Sequence, residues 1–194
     1  MAAAQWTLCR LAGLALSTAL LAACASLQLS EPYDARIEDG VNTYHKSFIV
    51  FTKGLQFAGH GEDGRYDAPA SRAFYATAAA ELGNTILRAK ANNPDGTCPS
   101  AEAAALGLGG LIDAVAPGGL PQGLADDDAT AEVVTLADGS CTVVTLLVLK
   151  YLHDSFERIH RKQTFVSPNF VLAQGQNIDS AAETAITAEQ SKRP

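Results

Sequence analysis

Charge is scarce in this chain, and basic charge is scarcer still. Only 18% of its 194 residues are Asp, Glu, Lys or Arg, and 14 Lys+Arg stand against 21 Asp+Glu. That balance leaves no basic patch of the kind that holds nucleic-acid phosphates, so no nucleic-acid partner is expected. Four cysteines are too few for a disulfide-dense scaffold. No apolar run reaches the ~20 residues that a membrane-spanning helix needs. With 47% hydrophobic residues a wholly disordered chain is also excluded, and one domain with a real core is the natural expectation.

The short motifs of catalysis are missing as well. The chain has no Gly-x-Ser-x-Gly elbow, no His-Glu-x-x-His, no Cys-x-x-Cys-His and no glycine loop placed to cradle a phosphate after a strand. Nothing points to an enzyme. No cofactor is expected beyond a covalent lipid described below.

What is present begins at the N-terminus. Arg10 is the only basic residue there, an apolar run follows from Leu11 to Ala23, and the first acid is Glu31. A positive start, a short apolar stretch and small residues at its end make a secretory signal. Ordinary cleavage after Ala25 is one reading, because Ala23-Cys24-Ala25 fits a small-x-small site.

Leu21-Ala22-Ala23-Cys24 resembles the lipobox of bacterial lipoproteins. The resemblance implies cleavage between Ala23 and Cys24 and acylation of Cys24, with several acyl chains giving stable anchoring where one is marginal. It divides the chain into a signal peptide (1–23), a lipidated tether (24–31) and a body (32–190). Ala25 is not the aspartate of an inner-membrane retention signal, which implies the outer membrane, facing the periplasm. Removing the signal leaves 171 residues with a net charge of −8, since only Arg10 is lost among charged groups. The lipid, rather than basic charge, would make the membrane its partner. The body is also similar to uncharacterised proteobacterial helical lipoproteins, through Tyr33-Asp34, Ile37, the Phe48–Phe51 stretch and a later cysteine pair. That likeness implies a helical bundle and carries no known activity.

Cys98 and Cys141 remain as an even pair in an oxidising compartment, each in turn-like surroundings. A structural bridge is expected; two buried free thiols are the alternative. The spacing is not Cys-x-x-Cys, which argues against a redox pair.

Periodicity predicts the body. Tyr33, Ile37, Val41, Tyr44, Phe48, Phe51 and Leu55 fall at steps of three and four, the mark of one helix face. Pro32 is expected in its first turn, with Asp34 and Glu38 at the positive end of the dipole. A second helix should open at Asp67 as N-cap with Pro69 in its first turn, carrying Tyr75, Ala79, Leu82, Ile86 and Ala89 inward. Ser140 should cap a third helix with Thr145, Val148, Leu152, Phe156 and Ile159 as its stripe. Ser167-Pro168 should open a fourth through Val171, Ile178, Ala182, Ala185 and Ile186, before a frayed tail from Ala188. Between Cys98 and Ser140 the glycines and prolines read as an irregular excursion. No repeat is visible. The sum is an all-α, up-and-down bundle of about four helices.

Few residues invite chemistry. His153, Glu157 and His160 lie on one flank of the third helix and include one Glu-x-x-His, whereas di-iron bundles use two with further acids. They are therefore weak metal candidates, with His45 as a remote fourth, and an exposed or boundary flank is the expected reading. A metal-binding bundle is the alternative function. His60, Glu62 and Asp63 in the Gly59–Gly64 loop, and the acidic run Asp126–Asp128, lack calcium-loop spacing. Tyr44, Phe48 and Phe51 could line a ligand cleft but have core spacing. The leading expectation is a lipid-anchored, non-catalytic binding or structural accessory of the cell envelope. Its helix faces would dock another envelope protein or a small apolar ligand.

Overall fold

The computed structural model describes residues 32–94, 96–98 and 139–193. The signal, the lipobox cysteine, the tether and most of the excursion, Asp126–Asp128 included, lie outside them. Within the described residues there are four long helices and no strand: α1 (Ala35–Ala58), α2 (Pro69–Asn92), α3 (Cys141–Gln163) and α4 (Pro168–Gln190). A short 3-10 turn, Glu62–Gly64, sits between α1 and α2. Among these residues no helix is long and apolar enough to cross a membrane.

Each helix starts where local chemistry stops an extended backbone. Ser140 and Ser167 cap α3 and α4, their hydroxyls accepting from the N–H groups of Val143 and Phe170. Both were legible as caps, as was Pro168 in the first turn of α4. Two starts differ from expectation. Asp34 caps α1 by accepting from the Arg36 N–H, so Pro32 stands before the helix and not in its first turn. Ala68, without a side-chain bond, caps α2, because the Asp67 carboxylate is held by the Arg65 guanidinium at 2.8 and 3.1 Å.

The long-range pairings fix the topology. Along α1 and α2 the partners run in opposite senses: Asp34 meets Asn92, Gly40 meets Thr85 and Phe51 stacks on Phe74. The same holds for α1 and α4, where Asp34 meets Glu189 and His45 meets Asp179. Along α1 and α3 the senses agree, with Tyr44 against His153 and Phe48 against Phe156. Sequential neighbours are thus antiparallel and the diagonal pair is parallel, which is the up-down-up-down bundle. α1 and α2 cross closely at Gly40, where a Cβ would come within 2.5 Å of the Thr85 hydroxyl, so the glycine lets the two helices approach.

The core follows the predicted stripes with small rotations. Ile37, Val41, Tyr44, Phe48 and Leu55 of α1 and all five predicted positions of α3 are buried. On α2, Ala78 faces inward and Ala79 outward, reversing that pair. The tail of α4 is not frayed: the helix continues to Gln190 and buries Ala188 and Glu189. Residue Cys98 bonds Cys141 with their Cα atoms 4.4 Å apart, joining the chain after α2 to the first residue of α3. This bridge closes a 43-residue separation. By chain entropy, replacing both cysteines with serine is expected to cost about 4 kcal/mol of unfolding free energy in a urea titration. A loss below about 1 kcal/mol would show that the loop is already restrained in the unfolded chain.

Candidate functional site

The two ends of the bundle differ in chemistry. At the end where α1 begins, charges converge. Glu189 is fully buried; its Oε1 accepts from the Asp34 N–H at 2.5 Å, and its Oε2 from Lys192 Nζ at 2.7 Å. The Asp34 carboxylate accepts from Arg88 Nε at 2.5 Å and Asn92 Nδ2 at 2.9 Å, and these bonds hold it below the usual carboxylate range although burial opposes them. Arg193 reaches Glu38 and the Tyr33 hydroxyl and lies over the Tyr33 ring. This network ties the C-terminal residues to the start of α1. Asp34 and Glu38 therefore serve more than dipole complementarity.

At the other end lies an aromatic cluster. Phe48, Phe51, Phe74, Tyr75, Phe156 and Phe170 pack through stacked and edge contacts. Two histidines are set among them. His153 and His160 are both fully buried, which corrects the exposed or boundary flank expected from their place beside the apolar stripe. The reason is that α3 is enclosed on most of its circumference, with fifteen of its 23 residues buried.

His160 is fully engaged. Its Nε2–H donates to the Gly64 carbonyl at 3.0 Å, so Nδ1 is the bare nitrogen and accepts from the Tyr75 hydroxyl at 2.8 Å. The turn that presents this carbonyl requires glycine: a Cβ at Gly64 would collide with the Gly59 carbonyl oxygen. Tyr66 N–H donates to the Thr164 carbonyl at 3.0 Å, pinning the same turn to the end of α3. His153 meets the Tyr44 hydroxyl through Nδ1 at 3.3 Å, and its Nε2 has no hydrogen-bond partner among the described residues. Burial lowers the pKa of both imidazoles and raises those of Tyr44 and Tyr75, so all four groups are neutral near pH 7.

The metal candidates are not brought together. Glu157 is half-buried and accepts from the Tyr66 hydroxyl at 2.8 Å, while His45 pairs with Asp179 at 2.7 Å. Among the described residues no three His, Cys, Asp or Glu side chains form a group that could hold an ion. His60 packs against Phe165, and neither Glu62 nor Asp63 joins it in such a group. Tyr44 and Phe48 belong to the core, and of the three aromatics considered for a cleft only Phe51 lines one.

That cleft is an open apolar groove of about 950 Å³ at the aromatic end. The second half of α1 forms one wall through Val50, Gly54 and Phe57; Ala70 and Phe74 of α2 form the other. Val50 is 72% and Phe57 91% exposed. Lys46 and Asp63 are the charged groups of its lining. These residues escaped the periodicity argument because they form a second stripe, Thr43, Ser47, Val50, Gly54 and Phe57, with too few large apolar members to register. No family model matches the chain, and no curated protein or solved structure matches it.

Both buried histidines have depressed pKa values in the fold and the ordinary value near 6.5 when unfolded. Below pH ~6.5 the unfolded chain therefore takes up protons that the fold refuses, and stability falls as the pH falls. Urea midpoints from pH 7.5 to 5 are expected to decline, and less steeply in His153→Phe. Tyr75→Phe, which leaves the His160 acceptor unpaired, should cost about 1–3 kcal/mol at pH 7.

Proposed function

We propose that the protein is a lipid-anchored, non-catalytic accessory of the cell envelope. In this reading Cys24 carries the lipid at the outer membrane and the bundle is a docking body in the periplasm. The observation that carries the docking role is the apolar groove at Val50, Gly54 and Phe57. A monomeric surface seldom leaves large side chains so exposed beside a concave apolar wall unless something binds there. The polar groups of the core support a non-catalytic reading. His160 has both nitrogens committed to structural bonds, and Tyr44 and Tyr75 are held neutral.

The position of the groove suits a tethered protein. The chain enters the bundle at Pro32, beside the start of α1, and the groove lies along the far half of that helix. At ~1.5 Å per residue, Val50 stands roughly 24 Å along α1 from Asp34.

Two measurements test the reading separately. Labelled palmitate should be incorporated by the native chain and not by Cys24→Ala; an unlabelled native chain rejects the anchor. A photo-reactive phenylalanine analogue placed at Phe57 should give a discrete adduct in intact cells, and the same analogue at Leu172, which is 58% exposed on α4, should not. Equal labelling at both positions rejects the groove as a docking face.

A further inference from the structure

We infer that the groove is a self-complementary surface whose occupant is a second copy of this chain, bound about a twofold axis that passes by Gly54. This rests on the docking role of the groove and names the partner.

The argument begins with spacing. Thr43, Ser47, Val50, Gly54 and Phe57 recur at steps of four and three, the interval at which one helix lays a seam along another. All five line the groove. This seam is separate from the core stripe of Ile37, Val41, Tyr44 and Phe48. Its members alternate in size in a useful way. Phe57 and Val50 project, and an added Cβ at Gly54 would meet nothing within 4 Å, so the chain's own fold gives that glycine no packing reason. A glycine inside a helix costs ~1 kcal/mol relative to alanine. Its use here is a shallow floor that another helix can approach closely. The Ser47 hydroxyl donates to the Tyr44 carbonyl at 2.7 Å, so it makes no polar demand on a partner.

Charge selects the occupant. Lys46 lies toward one end of the groove and Asp63, with Glu62 beside it, follows the other end of α1. Neither Lys46 nor Asp63 has an ion-pair partner among the described residues. A neutral apolar ligand would leave both unused. An antiparallel second copy uses both twice: with Gly54 facing Gly54, Val50 falls opposite Ala58 and Phe57 opposite Phe51. Lys46 then faces the chain just past the end of the other copy's α1, where the Glu62–Gly64 turn follows. A closed twofold contact of this kind is the commonest way for one chain to cover its own apolar face.

Sedimentation equilibrium of the full chain in mild detergent tests the inference, with circular dichroism to confirm that each variant is folded. A monomer–dimer equilibrium is expected. Lys46→Glu should weaken it roughly tenfold or more, because each dimer gains two like-charge contacts. Adding Asp63→Lys to Lys46→Glu should restore most of the loss, returning the dissociation constant to within about threefold of the native one. Phe57→Asp should abolish the dimer and Leu172→Asp should leave it unchanged. A chain that stays monomeric at every concentration overturns the inference, as does a dimer indifferent to both Lys46→Glu and Phe57→Asp. If the native chain is monomeric yet the probe at Phe57 captures another envelope component, the second copy is rejected while the docking role stands. If neither is seen, both fall.

Discussion

Enclosure of α3 is the constraint on which the rest of the structure depends. Fifteen of its 23 residues are buried, so every polar side chain it buries must be neutral and bonded or be costly. His160 meets that condition fully, and in doing so it joins three parts of the chain. Its ring takes a hydrogen from Tyr75 of α2 and gives one to the turn after α1. Removing either partner would leave a buried ring nitrogen without that hydrogen bond. His153 meets the condition only in part, through one long bond to Tyr44 of α1. The two histidines are thus the internal counterpart of the loop contacts, holding α1 and α2 in register against α3.

A second consequence is the separation of forces along the bundle. Where α1 and α3 begin, the frame is closed by full charges and a covalent bond: Glu189 with Lys192, Asp34 with Arg88, and Cys98 with Cys141. A buried ion pair adds little net stability over a well-packed apolar pair, but breaking one partner away is expensive. Its effect here is therefore positional. Glu189 can accept from the Asp34 N–H only if the end of α4 lies against the start of α1, which selects one alignment of the two helices. At the opposite end the buried contacts are mainly aromatic, with the exposed Arg65–Asp67 pair outside them, and an open apolar surface lies beside them.

The sequence was informative wherever a local rule decided the outcome. Helix faces were legible because large apolar residues at steps of three and four have only one way to be buried together. Ser140 and Ser167 were legible as caps because the bond each makes is local, to the N–H three residues on. Asp67 was misread for the converse reason: Arg65, two residues away, takes its carboxylate. The histidine flank was misread because periodicity tells how one helix divides into faces, and not how many neighbours cover it. Glu189 was read as part of a frayed tail, since the partner that fixes it against α1 is a backbone N–H 155 residues away. The pairing of Cys98 with Cys141 followed from their number and not from local sequence.

The groove shows the same limit from the other side. α1 carries two stripes, and a single-chain reading keeps only the one rich in large apolar residues. The second, from Thr43 to Phe57, contains a threonine, a serine and a glycine, residues that read as solvent-facing when no partner is in view. Small residues at that interval lower the surface of a helix, and large ones between them raise it. A face of alternating height suits a solid partner better than bulk water, because each exposed ring holds its neighbours' apolar surface open as well as its own. Phe57 is 91% exposed one turn from a bare glycine, and the proposed contact rests on this pair. The outward stripe of α1 is thus not explained by the chain's own packing, and a second helix laid on it is what the proposal supplies.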